Sequence, residues 1–174
     1  MRAEIVRFAG EATFIPPTVI HWGMTHPDNF AVLKERGVSV LAGSFISSRV
    51  KVGEQVSANP VADIGYFYEQ DVTRYLKAQK AWYDTDVDLL LINNSACCNL
   101  DTPAEIVEYL DRDAKIGNDF LSLVTHEQYC FPRYFNYIPD HLDRIALACR
   151  HMKKLGYEFV FFAEGFLGNR AWDK

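Results

Sequence analysis

The strongest pattern in the chain is the unbroken apolar run Leu89-Leu90-Leu91-Ile92, entered from Asp88. A strand with one wet face alternates apolar and polar positions, so a continuous run predicts a strand buried on both faces, the habit of parallel sheets. Further strands are predicted at Thr18-Val19-Ile20, Val38-Ser39-Val40-Leu41-Ala42, 64–68, 120–125 and Glu158-Phe159-Val160-Phe161-Phe162. Segments with helical spacing lie between them. Residues 27–36 predict a short helix with Phe30, Val32 and Leu33 inward and Gly37 as its stop. In residues 71–82, Val72, Tyr75, Leu76 and Gln79 fall at i, i+3, i+4, i+7 behind an Asp71 cap. Thr102-Pro103-Ala104-Glu105 is a capping box with proline at the first helical position. From Asp140 onward, Leu142, Ile145, Ala146, Cys149, Met152 and Leu155 form one apolar stripe, which Gly156 ends. His141 and His151, on or beside this helix, read as surface residues.

Strands that alternate with helices imply parallel pairing and crossover connections. The expected fold class is therefore α/β, with parallel β/α units in an open sheet or a partial, distorted (β/α) barrel of about five strands. A closed eight-unit barrel needs roughly 250 residues; this chain has 174 and reads as a single domain. The connection over 44–68 is too long for an ordinary loop and suggests a functional loop or an extra hairpin. An incomplete barrel would leave two strand edges open and uncover Leu90, Ile92, Leu121 and Leu123, which predicts a homodimer.

Composition narrows the partners. Net charge is −5, so a broad basic surface for nucleic acid is not expected. No apolar run approaches the ~20 residues of a membrane span, and Met1-Arg2-Ala3-Glu4-Ile5 lacks the apolar core of a signal peptide. The expected setting is cytoplasmic, with a small molecule or a carbohydrate as ligand. Cys97, Cys98, Cys130 and Cys149 read as reduced thiols, since adjacent Cys97 and Cys98 suit neither an easy mutual disulfide nor a zinc knuckle.

Parallel α/β folds gather function at the carboxyl ends of their strands. That rule selects His21 and His26 after the first strand, and Asn93, Asn94 and Ser95 after the buried run. It also selects Thr125-His126-Glu127-Gln128-Tyr129 after the next strand, and Glu164 after the last. His126 beside Glu127 is the leading candidate, because charge placed directly after an apolar strand needs a reason. The aromatic cluster Tyr129, Phe131, Tyr134, Phe135 and Tyr137 follows neither a helical nor a strand period and fits a sugar-stacking lid or a cover for the barrel end. A cysteine nucleophile, Cys97 or Cys98 with His126, is a weaker alternative.

The segment Leu123-Val124-Thr125-His126-Glu127-Gln128-Tyr129 resembles the late strand of the polysaccharide deacetylase-like family, in which a Leu-x-x-His segment supplies an active-site histidine. The following helix, Gly156-Tyr157 and the apolar stretch from Phe159 agree. Thr18-Val19-Ile20-His21-Trp22-Gly23, followed by a helix and Gly37-Val38, resembles a middle portion of such proteins. The resemblance implies the C-terminal part of a distorted barrel and a hydrolase acting on, or a non-catalytic relative binding, N-acetylated carbohydrate. It also implies a divalent metal such as Zn²⁺. His126, with Glu127 and Glu164 from the rim, then forms the candidate catalytic set. His21, Asn93, Asn94 and Tyr129 are candidates for binding substrate, and His21 and His26 for the metal. The sequence has neither the early Asp-Asp pair nor the His-Ser/Thr-x-x-His metal motif of that family.

Overall fold

The computed structural model describes residues 2–11, 18–20, 23, 25–47 and 65–160. An exposed helix, α1 (Arg2–Ala9), comes first. The 3-10 turn Pro27–Asn29 leads into α2 (Phe30–Glu35). There Phe30 is buried and Leu33 half-buried, whereas Val32 faces solvent. Gly37 stops the helix at a φ of +84°. Then follow β1 (Val40–Gly43), β2 (Phe45–Ser47), β3 (Tyr66–Tyr68) and α3 (Gln70–Gln79). They are succeeded by β4 (Ala81–Asp84), β5 (Leu89–Asn93), β6 (Ala96–Cys97), α4 (Pro103–Lys115), β7 (Leu123–Val124) and α5 (His141–Lys154).

The architecture is mixed α/β, and the described residues form no closed barrel. Two bent extended runs organise it. The first is β1 and β2, joined through Ser44; the second is β5 and β6, joined through Asn94 and Ser95. β1 lies parallel to β5, with Val40 opposite Leu90 and Gly43 opposite Asn93. Beyond the bend, β2 pairs in parallel with β3 on the opposite edge, and β6 pairs in parallel with β7. Gly43 is required where the runs bend, because a Cβ there would lie 2.7 Å from the Tyr66 ring.

β5 is buried at all five positions, as its composition predicts. One face packs Leu89 and Leu91 with Phe30, Leu41, Phe45, Tyr66 and Leu76. The other packs Leu90 and Ile92 with Val40 and Ala42. Leu90 and Ile92 are 6% and 1% exposed, so the open apolar face from which a homodimer was expected is closed at these residues. Leu121 and Leu123 are half-buried in a second cluster beneath α4 and α5.

Several expectations are corrected. The strands are not all parallel: β4 runs antiparallel to β5, Ala81 opposite Ile92 and Asp84 opposite Leu89. The helix expected over 71–82 ends at Gln79, because Lys80 takes a left-handed conformation and turns the chain into a hairpin partner for β5. Glu69, not Asp71, holds the N-cap position, without a side-chain cap bond, and Tyr75 is exposed while Thr73 and Leu76 are buried. Thr18–Ile20 is not a strand, although the Thr18 carbonyl accepts from Ala42 N at 2.7 Å. The strand expected over 120–125 shortens to β7, and 158–160 are not extended into a strand; 161 and 162 lie outside the described residues, as do 48–64 of the long connection. On α5 the buried series is His141, Ala148 and Met152, with Ile145 and Cys149 half-buried; Leu142 is 66% exposed. The Thr102 capping box on α4 forms as expected, with reciprocal bonds to Glu105.

A buried ion pair fastens the hairpin to α4. Lys80 Nζ lies 3.1 Å from Asp113 Oδ2, with both side chains almost wholly buried. Oδ2 accepts no directed hydrogen bond, so this contact is electrostatic, while Arg112 bonds the other oxygen at 3.0 Å. Removing one partner strands the other charge in the interior. Asp113→Asn is expected to destabilise the protein by roughly 3–5 kcal/mol in urea denaturation, whereas Lys80→Met combined with Asp113→Leu recovers most of the loss. A single-variant loss below about 1 kcal/mol would mean that the pair behaves as a solvated surface bridge.

Candidate functional site

The parallel strands share one direction, so β6 and β7 deliver their carboxyl ends to the same rim. Cys97 stands opposite Val124, and the residues just beyond, 98–101 and 125–129, form the neighbouring walls. The first wall is a tight turn. Asp101 Oδ2 accepts from Cys97 N at 2.6 Å, and Asp101 N donates back to the Cys97 carbonyl at 2.8 Å. Arg144, on α5, holds this turn through the Asp101 carbonyl at 3.0 Å while pairing with Asp140 four residues earlier. That bond keeps the Asp140 carboxyl below its ordinary range.

The second wall begins with His126, which is exposed at the entry of the 3-10 turn Glu127–Cys130. Glu127 follows, also exposed. The His126 ring lies 6.4 Å from that of Tyr129, centroid to centroid. Tyr129 meets Tyr134 edge-on at 5.3 Å, and Tyr134 leans on Phe135 at 4.5 Å. Phe135 is 84% exposed and Phe131 59%. Three rings, Tyr129, Tyr134 and Phe135, thus continue from His126 along the rim. Burial and the neighbouring Tyr134 raise the Tyr129 hydroxyl's pKa, and the Asn99 side chain of the other wall opposes them more weakly. The hydroxyl therefore stays a protonated donor at neutral pH.

His141 lies beneath this wall and is fully buried, contrary to its reading as a surface residue. Its Nε2 is 2.9 Å from Thr125 Oγ1, and its ring stands 5.8 Å from Tyr129. Solvent-side spacing misled the sequence reading; the series His141, Ile145, Ala148, Met152 was equally available at i, i+4, i+7, i+11. His151 is mostly buried and bonds Asp111 at 2.7 Å, tying α5 to α4.

The other described candidates are engaged within the chain. β5 ends at Asn93, as expected, and past Asn94 and Ser95 the chain pairs again as β6. Asn93 is buried within the run and donates to the Asn94 carbonyl at 3.1 Å, and Asn94 Oδ1 accepts from Ser122 Oγ at 3.4 Å. Both side chains bond within the chain itself. His26 caps the turn Pro27–Asn29, accepting from Asp28 N at 3.4 Å with the Asp28 carboxylate at 3.2 Å. His21 and Glu164 lie outside the described residues. Sequence reasoning missed Asn99 and His141; for His141 the available signal was its spacing with Ile145, Ala148 and Met152.

Among the described residues no three His, Cys, Asp or Glu side chains converge as a metal would require. Of the expected pair of ligands, His26 accepts from Asp28 N, and His21 lies outside the described residues.

The cysteines are free. Burial raises the Cys97 thiol, which donates to Asn99 Oδ1 at 3.5 Å, and pushes Cys98 up to about 11. A cysteine nucleophile needs the opposite shift. Comparison with protein families, curated proteins and solved structures finds no match for this chain. No helix among the described residues is long and apolar enough to cross a membrane.

Because both thiols are held protonated, Cys97 and Cys98 are expected to resist maleimide at pH 7 in the folded protein and to react once it is unfolded. Peptide mapping by mass spectrometry reads this directly. Rapid native labelling of Cys97 would revive the thiol-nucleophile reading.

Proposed function

We propose that this chain is a deacetylase-like protein that binds N-acetylated carbohydrate on the rim formed by the carboxyl ends of β6 and β7. The observation that carries this reading is the run of rings from His126 through Tyr129 and Tyr134 to the exposed Phe135, beside the protonated Tyr129 hydroxyl. Sugar rings present C–H faces that pack on aromatic faces, and their hydroxyl and acetamido groups need donors and acceptors at the edge of such a surface. A fold in which β1, the β5–β6 run and β7 are neighbouring staves of a partial (β/α) barrel suits this reading, since barrels present their sites at this end.

In the hydrolytic form of the proposal, water adds to the acetamide carbon and the C–N bond breaks. His126 gives its proton to the departing amine. Glu127 and Glu164 are the carboxylates proposed to activate the water. The missing Asp-Asp pair favours binding over turnover for this chain alone.

Titration of the protein with an N-acetylchitooligosaccharide, followed by calorimetry, tests the proposal. Phe135→Ala and Tyr134→Ala are expected to weaken binding about three- to tenfold each, the loss of one stacked ring. Acetate release is expected to be negligible with or without added Zn²⁺. Zn²⁺-dependent release abolished by His126→Ala would turn the reading to catalysis, and absence of binding to the wild type would reject it.

A further inference from the structure

The rim loop is closed by a hydrogen-bond circuit that passes through His141. The His126 carbonyl accepts from Tyr129 N at 3.4 Å, and the Tyr129 carbonyl accepts from Ile138 N at 3.0 Å. The Ile138 carbonyl in turn accepts from His141 N at 3.1 Å. The His141 imidazole then returns to the start of the loop, 2.9 Å from Thr125 Oγ1. Its ring also backs Tyr129, the nearest ring to His126. A buried imidazole is therefore in contact with the residue before His126 and with the ring beside it.

The other ring nitrogen, Nδ1, is buried without a partner. A bare acceptor is tolerated there better than an orphaned N–H. That asymmetry places the proton on Nε2, which donates to the Thr125 hydroxyl. Thr125 and His126 are consecutive residues leaving β7, and His126 keeps an extended backbone. Fixing Thr125 thereby constrains the rigid peptide unit from which His126 departs.

We infer that His141 is the positioning residue of this rim: by gripping Thr125 and backing Tyr129 it sets where the His126 ring stands. The inference rests on the proposed function for its consequence in ligand binding, but not for its geometry. The link from His141 to His126 is a property of the unliganded chain.

The test therefore reads His126 first without ligand. Histidine-ring carbon–proton NMR spectra are recorded for the full chain, with the His126 signal assigned by its loss in His126→Gln. His141→Phe keeps the bulk and loses the donor, whereas His141→Gln keeps a donor near the Nε2 position. Thr125→Val removes the hydroxyl at an exposed position and so tests the link even if a His141 variant fails to fold. The expected result is that the His126 signal moves or broadens alike in His141→Phe and Thr125→Val, and returns toward its wild-type position in His141→Gln. Affinity for the chitooligosaccharide should fall about three- to tenfold in the first two, the loss of one hydrogen bond, and recover in the third. A lowered melting temperature with an unmoved His126 signal would make His141 a purely structural residue and overturn the inference. If the signal behaves as expected but the wild type binds no oligosaccharide, the positioning role stands and the carbohydrate reading falls.

Discussion

The parallel register between β1 and β5 is the constraint on which the rest of the structure depends. β5 is apolar and buried on both faces, so its peptide groups have no access to water and must all be paired within the sheet. β1 supplies one row of partners and the hairpin strand β4 the other. Beyond Asn93 the hairpin has ended, and the same edge of the run is taken over by β7. That succession brings the carboxyl ends of β6 and β7 together. The helices then follow from where apolar surface remains: α2 and α3 on one face, α4 and α5 over the β6–β7 pair.

Charge is placed with the same economy. Lys80 turns the chain from α3 into β4, and its left-handed backbone carries an ammonium into the interior. Burying that charge is unfavourable unless a carboxylate meets it, and Asp113 on α4 does so. The pair couples the hairpin to the helix that leads into β7, so the positions of β4 and β7 along one edge of the long run are set together. Asn93, Asn94, Ser95 and Ser122 occupy the same polar seam and satisfy the bend between β5 and β6.

The rim differs from this interior in kind. Phe131 and Phe135 are exposed while Tyr129 and Tyr134 are half-buried, and the loop that carries them is held by backbone bonds at Tyr129, Ile138 and His141 and by the Arg144 bridge to the opposite wall. Ordering a segment of this length costs conformational entropy that its exposed side chains do not repay through burial. The anchoring therefore comes from hydrogen bonds and from the buried face of α5. A rim ordered before a ligand arrives loses less entropy on binding, which suits a stacking surface that is individually weak at each ring.

The sequence by itself determined the elements that depend on local chemistry. The apolar run of β5, the Thr102–Glu105 capping box, the stop at Gly37 and the placing of His126 just past a strand were all legible, because each is specified by residues within a few positions of one another. The tertiary structure decided what depends on distant partners. Beyond the end of β5 at Asn93 a second strand, β6, forms at Ala96–Cys97, since β7 supplies pairing there that the run cannot announce. The antiparallel β4 was hidden because Lys80 is a good helix former whose left-handed turn is held in place by Asp113, 33 positions away. His141 read as a surface residue because a polar side chain is buried only where a partner waits, and Thr125 reaches it through the fold, not through the helix's own spacing.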